Sequence, residues 1–240
     1  LACYFQGRKE LFDGLAIAEL EKDWLEYPIF RVDFNGGNYT REGELEKTIE
    51  TYIAKWEVEY GKDTLETTTG DRFKGVLQRA YQKTGKRAVV LIDEYDKPIL
   101  DVLDTGTSTR NQEGERQLLE DHHREILKSF YSTFKGADEY LQFVLLTGVT
   151  KFSQVSVFSG FNQPKDISMD ERYESLCGIT QEELEKYFEE SILRLATKYE
   201  CAVEEMKDWL KRQYDGYHFS TNMTNIYNPF SILNAFDMNE

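Results

Sequence analysis

The feature that most constrains this fold is an apolar run, residues 88–92, that ends abruptly in two acids. The run reads Ala-Val-Val-Leu-Ile, and Asp93 and Glu94 follow it directly. A short aliphatic run without alternation predicts a strand that is buried on both faces, as in a parallel sheet. The two carboxylates are therefore predicted to lie at the carboxyl edge of the sheet, where open α/β folds bind ligands.

Further strands and helices alternate along the first two thirds of the chain. Residues 29–34 and 143–146 are two more apolar strand candidates. Apolar residues recur at helical spacing over residues 45–60, 73–80 and 118–134, and each pattern is followed by a glycine that can end a helix. Strands separated by helices of this length indicate parallel βαβ crossovers, so the predicted fold class is α/β with a parallel sheet between helices.

The last quarter of the chain has a helical pattern. Thr180 and Glu183 form the pattern of a helix-capping box, and apolar residues then continue at helical spacing as far as Leu195. A second helix is predicted over residues 203–213, and a last helix is predicted to open at Asn228-Pro229. This region is therefore predicted to contain helices.

The change of pattern near residue 176 sets the predicted domain boundary. Residues 1–175 are assigned to an α/β core and residues 176–240 to a helical region. Within the core, a short strand is also predicted near residues 166–169.

Composition and charge narrow the classes of function. The net charge of −15 opposes non-specific binding to nucleic acid, which depends on Lys and Arg neutralising phosphates. No apolar run approaches the roughly 20 residues that a membrane span needs, so no membrane association is expected. The three cysteines, Cys3, Cys177 and Cys201, form no CxxC pair, which fits a reducing compartment. We expect a cytoplasmic protein.

Asp93 and Glu94 are the residue types that phosphoryl-transfer chemistry uses at such a strand end. An aspartate there can hold Mg²⁺, directly or through water, because a hard cation prefers oxygen ligands. The adjacent glutamate points in another direction and can orient and deprotonate a water that attacks a γ-phosphate. The alternative interpretation is that both residues simply end the strand and that Asp96 caps the next turn.

Two further candidates follow the strand at residues 143–146. Thr147 places a hydroxyl at the matching edge of the sheet, where it could sense a γ-phosphate or hold the attacking water. Lys151 could face the γ-phosphate or reach a neighbouring subunit. The alternatives are that Thr147 only closes the strand and that Lys151 is a solvated side chain.

These segments together resemble the predicted AAA-ATPase-like family of bacterial proteins, whose members often precede a nuclease-like region. The resemblance is carried by long motifs at the two strand ends, LIDEYDKPI at residues 91–99 and LTGVTKFS at residues 146–153. It covers nearly the whole chain in the same order, through residues 9–17, 155–159, 176–180, 214–219 and 227–231.

The resemblance implies a P-loop NTPase core of the additional-strand class, with strand order 5-1-4-3-2, the helical region as a lid, and ATP and Mg²⁺ as ligands. Asp93 resembles the Mg²⁺ aspartate of a Walker B motif, Glu94 its catalytic base, and Thr147 the sensor residue after the fourth strand. Asn35 stands after the second strand, where related ATPases place a polar residue that restrains the base. An Asn before Gly-Gly also suits a turn.

One motif of such proteins is not found in the sequence. The loop that cradles nucleotide phosphates, G-x-x-x-x-G-K-[ST], does not occur in the 240 residues. The resemblance places this loop just upstream of Leu1. We therefore expect a fragment that holds the Walker B and sensor part of the site and does not hydrolyse ATP by itself.

Three classes of function remain open at this point. The first is a Mg²⁺-dependent ATPase that is complete only with the upstream loop. The second is a nucleotide-gated regulatory domain that does not hydrolyse ATP and controls an attached nuclease-like effector. The third is a nuclease, although no E-x-K follows Asp93-Glu94 on a neighbouring strand. The expected partners are a nucleotide, a second copy of the chain, or an attached C-terminal nuclease-like domain.

Overall fold

The computed structural model describes residues 1–111, 113–149, 157, 164–218 and 224–237. Two compact units are present, Leu1–Pro164 and Lys165–Glu240. The sequence boundary was placed after residue 175, and the contacts divide the chain after Pro164.

The first unit is built on a parallel three-stranded sheet. Its strands are β1 (Ile29–Asp33), β2 (Ala88–Asp93) and β5 (Leu141–Leu146), with β2 in the middle. All three strands lie where the apolar runs predicted them, so the predicted parallel α/β sheet is confirmed. The resemblance implies the strand order 5-1-4-3-2. The observed neighbours β1, β2 and β5 would be strands 2, 3 and 4 of that order.

Three long helices flank the sheet. They are α3 (Glu44–Tyr60), α4 (Thr69–Thr84) and α6 (Leu119–Gly136). Gly61 and Gly85 follow α3 and α4 with positive φ angles of 92° and 67°, a backbone conformation that glycine adopts without strain. The predicted helix ends are therefore confirmed at both positions.

Aromatic side chains join these helices to one face of the sheet. Phe30 of β1 lies 5.1 Å from the ring of Trp56 on α3, measured between ring centroids. Phe73 of α4 stacks on Trp56 at 5.2 Å and on Phe130 of α6 at 5.1 Å. All four rings are buried, so one apolar core fixes the three helices against the sheet.

A short hairpin separates β2 from α6. It consists of β3 (Ser108–Arg110) and β4 (Arg116–Leu118), which pair antiparallel. The sequence analysis did not predict it, because three-residue strands leave almost no pattern. The remaining short elements of the unit are α1 (Ala2–Phe5), α2 (Ala16–Leu20), α5 (Lys97–Leu100) and the 3₁₀ turns Lys9–Phe12 and Asp138–Tyr140.

The second unit consists mainly of helices. They are α7 (Gln181–Tyr187), α8 (Glu189–Lys198), α9 (Val203–Tyr214) and α10 (Pro229–Asp237), after a 3₁₀ turn at Glu171–Tyr173. The capping box at Thr180 is present, with the Thr180 hydroxyl accepting from the backbone N–H of Glu183 and the Glu183 carboxylate accepting from that of Thr180.

Two details of this unit differ from the prediction. The helix predicted to run on to Leu195 is broken at Phe188, which separates α7 from α8. The strand predicted near residues 166–169 is wrong: the segment forms a turn in which the Asp166 carboxylate accepts the backbone N–H of Ser168 at 2.9 Å. An aspartate that bonds its own backbone two residues on favours a turn over a strand.

In the described part of the chain no helix is both long enough and apolar enough to cross a membrane.

A buried histidine connects α6 to α5. His123 is fully buried, and its Nδ1 lies 2.7 Å from the carbonyl oxygen of Pro98. Because a carbonyl only accepts hydrogen bonds, Nδ1 carries the proton. Nε2 is buried and has no hydrogen-bond partner among the described residues, so the ring is stable there only in its neutral form.

We expect this histidine to make folding stability pH-dependent. Burial lowers the pKa of His123, against the opposing effects of the Pro98 carbonyl and Glu46, so the folded state binds a proton less readily than the unfolded chain, whose value is 6.5. The stability that neutral His123 contributes should be fully present above pH 6.5. Below that pH the free energy of unfolding should fall, by at most about 1.4 kcal/mol per pH unit. Urea unfolding between pH 7.5 and 5 should show this slope reduced in His123→Gln and retained in His122→Gln. Equal slopes in the two variants would contradict the assignment.

Candidate functional site

Parallel register brings three polar side chains together at the carboxyl edge of the sheet. Asp33, at the end of β1, is the register partner of Asp93 at the end of β2. Thr147 follows β5 and stands next to Asp93, because the preceding pair, Ile92 and Leu146, is also in register. The Thr147 hydroxyl donates a hydrogen bond to Oδ1 of Asp93.

Asp33 is a member of this row that the sequence analysis missed. Like β2, strand β1 ends in an aspartate, and this parallel between the two strand ends was the available signal. Asn35, the residue chosen instead, is exposed, and its backbone N–H donates to Oδ1 of Asp33 at 2.9 Å. This bond is an Asx-type turn in which Asp33 supplies the side-chain acceptor.

Glu94 occupies a sharp turn directly after β2. Its φ angle is +55°, in the left-handed region that non-glycine residues rarely adopt. The backbone of Thr147 is held on both sides of this turn, since its N–H donates to the carbonyl of Ile92 and its carbonyl accepts the N–H of Tyr95, each at 2.9 Å. The backbone of the turn at Glu94 is therefore fixed beside Thr147.

Asp96 fixes the segment that follows Thr147. Its carboxylate is fully buried and accepts the backbone N–H of Val149, with oxygen–nitrogen distances of 3.1 and 3.3 Å. Asp96 stands at the N-cap of α5 but makes no side-chain cap bond, so the interpretation of Asp96 as a helix cap is wrong. A Cβ at Gly148 would lie 2.5 Å from Oδ1 of Asp96, so only glycine allows the two segments to approach this closely.

A buried tyrosine lies beneath the same turn. The Tyr131 hydroxyl, on α6, donates to the carbonyl oxygen of Tyr95 at 3.5 Å. Burial raises the pKa of Tyr131 well above its ordinary value, and Tyr95 and Asp96 add to this effect. The phenol therefore stays neutral and available as a donor to the turn.

An open cleft of about 290 Å³ lies along this edge of the sheet. Arg31 on β1 reaches into it, with Nη2 3.7 Å from Oδ2 of Asp33 and 4.0 Å from Oδ2 of Asp93. The walls combine Asp93 and Thr147 with Arg31 of β1, with apolar residues of β2 and β5 and with the first residues of the chain. The lining residues are Leu1, Ala2, Cys3, Arg31, Leu91, Ile92, Asp93, Leu145 and Thr147.

The matching protein family covers the part of the chain that builds this edge. The family model described as "Predicted AAA-ATPase" matches residues 1–158, about two thirds of the 240 residues. The chain belongs to the predicted AAA-ATPase family.

A longer relative extends the comparison beyond the family model. It is the "Uncharacterized protein in vnfD 5'region" of Azotobacter chroococcum mcd 1, which is 35% identical over 241 residues. The alignment includes all of this chain and 42% of the relative, so the chain spans less than half of the relative's length. No solved structure matches the chain.

The predicted site residues of this AAA-ATPase family member fall into two groups. Asp93, Glu94 and Thr147 come together at one edge, whereas Asn35 lies exposed after β1. Lys151 lies outside the described residues. Among the described residues no three His, Cys, Asp or Glu side chains cluster in a way that could hold a metal ion. The half-exposed Asp93 carboxylate and the Thr147 hydroxyl are hard oxygen donors, the type that suits Mg²⁺ with several retained waters.

The left-handed conformation of Glu94 should cost the fold stability. Replacement by glycine removes the steric conflict, so we expect Glu94→Gly to raise the free energy of unfolding by about 1 kcal/mol. Glu94→Val should lower it, because a β-branched side chain tolerates this conformation poorly. Glu200 in the second unit has a φ of +53°, so Glu200→Gly is a matched control and should give a similar gain in the free energy of unfolding. Urea unfolding that shows Glu94→Gly to be less stable than the wild type would argue against stored strain.

Removal of the Asp96 carboxylate should be costly. Asp96→Ala removes a fully buried carboxylate that accepts the backbone N–H of Val149, and because hydrogen bonds to charged groups are strong, we expect a loss of about 2 kcal/mol in the free energy of unfolding. Asp101→Ala is the control, because Asp101 pairs with Lys97 one helical turn away and is partly exposed. Its loss should stay below about 1 kcal/mol in the same urea titrations. Equal losses in the two variants would show that the bond to Val149 contributes nothing specific.

Proposed function

We propose that this edge of the sheet is the metal-binding and water-activating side of an ATP site, a Walker B motif with its sensor. Asp93 is the Mg²⁺ residue, Glu94 the general base and Thr147 the sensor. The observation that carries the proposal is the hydrogen-bonded row at the carboxyl ends of adjacent parallel strands, in a chain that belongs to the predicted AAA-ATPase family. Ligands of open α/β sheets bind at such an edge.

Asp93 is suited to hold a hard cation. Its carboxylate is half-exposed, and one of its oxygens accepts from Thr147, which orients the group. Mg²⁺ is usually held by only one or two carboxylates together with waters and phosphate oxygens, so a large acidic cluster is not needed. When bound, Mg²⁺ would offset the negative charge of the phosphates during transfer.

Glu94 and Thr147 are proposed to supply the other two roles, general base and sensor. Glu94, in the turn directly after Asp93, is proposed to accept a proton from water while Asp93 binds the cation. Thr147 is positioned through its backbone, and its hydroxyl oxygen, whose proton goes to Asp93, can accept a hydrogen bond from the attacking water and so hold it. Lys151, four residues further on, is proposed to supply positive charge near the γ-phosphate or to a neighbouring subunit.

The phosphate-cradling half of the site is proposed to come from outside these 240 residues. The sequence contains no phosphate loop, and backbone amides with a lysine are what hold the β- and γ-phosphates. We therefore infer that the 240 residues alone do not hydrolyse ATP. The helical C-terminal region is proposed to act as a lid.

A second candidate is a nucleotide-gated regulatory domain that does not hydrolyse ATP. It would control an attached nuclease-like effector at its C-terminal side. The observation that favours it is the length of the Azotobacter relative, of which this chain covers only 42%, which leaves room for further regions.

Single-turnover hydrolysis of MgATP by the full-length protein tests the proposal. We expect Glu94→Gln to bind ATP but to lose at least 100-fold in the hydrolysis rate, because the general base is removed. Asp93→Asn should weaken the dependence of activity on Mg²⁺. Glu200→Gln, in the second unit, controls for loss of a glutamate charge and should hydrolyse ATP at the wild-type rate.

The outcomes separate the candidates. Wild-type rates in Glu94→Gln would show that Glu94 is not the base. Tight ATP binding without hydrolysis by the wild-type protein would support the regulatory domain instead. The absence of any binding to ATP would reject both.

A further inference from the structure

We propose that Arg31 is an internal counter-cation of the Asp33–Asp93 pair, which a divalent cation must displace. The guanidinium balances the two carboxylates before the metal binds, and it moves away from Asp93 when the metal arrives. This inference rests on the proposed role of Asp93 in holding Mg²⁺ and adds a regulation of that same site.

The geometry places one positive group against two negative ones. A single nitrogen, Nη2 of Arg31, lies 3.7 Å from Asp33 and 4.0 Å from Asp93. In strand register, Arg31 pairs with Leu91, and Leu91 pairs with Leu145. Arg31 therefore rises from an otherwise apolar row that lies directly below the row of Asp33, Asp93 and Thr147.

The two aspartates need a positive charge. They are register partners on neighbouring parallel strands, where the separation between strands is about 4.8 Å. Like charges that face each other across strands destabilise a sheet. The guanidinium is permanently charged at any ordinary pH, so it offsets this repulsion whenever the metal is absent.

Arg31 and a divalent cation compete for the same place. A cation bound at Asp93 would stand within a few ångströms of the guanidinium and repel it. The metal would then take over the charge balance that Arg31 provides. The protein should therefore bind the metal more weakly than it would without Arg31, by the free energy of the ion pairs that the metal breaks.

The ion pairs of Arg31 are loose enough to be released. Its side chain is 60% exposed and its contacts lie at 3.7 and 4.0 Å, beyond hydrogen-bonding distance. Arg72 shows the opposite design: 12% exposed, it bonds Glu50 at 2.6 Å and Glu57 at 2.7 Å and holds α3 and α4 together. The contrast supports a displaceable role for Arg31 and a structural one for Arg72.

The test measures binding of Mn²⁺ without nucleotide to the full-length protein, by the electron paramagnetic resonance of the free ion. We expect Arg31→Gln to bind Mn²⁺ roughly three- to fivefold more tightly than the wild type, the scale of an exposed ion pair. Arg31→Lys, which keeps the charge, should stay within about twofold of the wild type.

Two further variants serve as controls. Arg124→Gln makes the same change in net charge as Arg31→Gln. Its surroundings are also similar, because Arg124 lies between the carboxylates of Glu120 and Asp121 on α6. It should leave the affinity within about twofold of the wild type, because Debye screening limits effects at a distance. In the double variant Arg31→Gln/Asp93→Asn, the gain in affinity should be lost.

Each result decides the matter. If the wild type binds Mn²⁺ through Asp93 and Arg31→Gln leaves the affinity unchanged or weakens it, the counter-cation role is overturned while the metal role of Asp93 stands. If neither protein binds Mn²⁺ in a manner that depends on Asp93, the counter-cation role is overturned, whereas the metal role of Asp93 is decided by the Mg²⁺ dependence of ATP hydrolysis in Asp93→Asn. Binding that appears only in Arg31→Gln supports the inference most strongly.

Discussion

The parallel hydrogen-bond register of β1, β2 and β5 is the constraint on which the rest of the first unit depends. In a parallel sheet the carboxyl ends of neighbouring strands meet at one edge, so the residues that end each strand become neighbours. Asp33 and Asp93 are partners for this reason, and Thr147 stands beside Asp93 although 54 residues separate them. The aromatic core on the other face, from Phe30 through Trp56 and Phe73 to Phe130, favours this register, because a slip of β1 by one residue would turn Phe30 out of the core.

Local signals in the sequence were sufficient for much of this architecture. The three apolar runs became strands, Gly61 and Gly85 closed their helices, and the capping box at Thr180 formed as its pattern predicts. Each of these features is decided within a few residues, by backbone conformation or by one local hydrogen bond. The membership in the predicted AAA-ATPase family follows the same motifs.

The details that depend on distant contacts were not available from the sequence. Asp33 and Arg31 come close to Asp93 only through the register of β1 with β2. The contact of Asp96 with Val149 depends on a segment 53 residues away. Asp96 illustrates the difficulty: an aspartate before a helix favours an N-cap, but here the backbone N–H of Val149, on another segment, donates to the carboxylate. The turn at Asp166 shows a different limit, since a local side-chain hydrogen bond outweighed the apolar pattern there.

The turn after β2 and the segment after β5 are joined at four successive points. Ile92 and Tyr95 bind the backbone of Thr147, Asp93 binds its side chain, and Asp96 binds Val149. These bonds and the two backbones form closed loops, so one bond cannot open without stretching its neighbours. Such a segment opens as a unit or not at all, in the manner of a small cooperative unit of the native state. A displacement of the Asp93–Glu94 segment would therefore also displace Val149. The ends of β2 and β5 would move together when an ion binds.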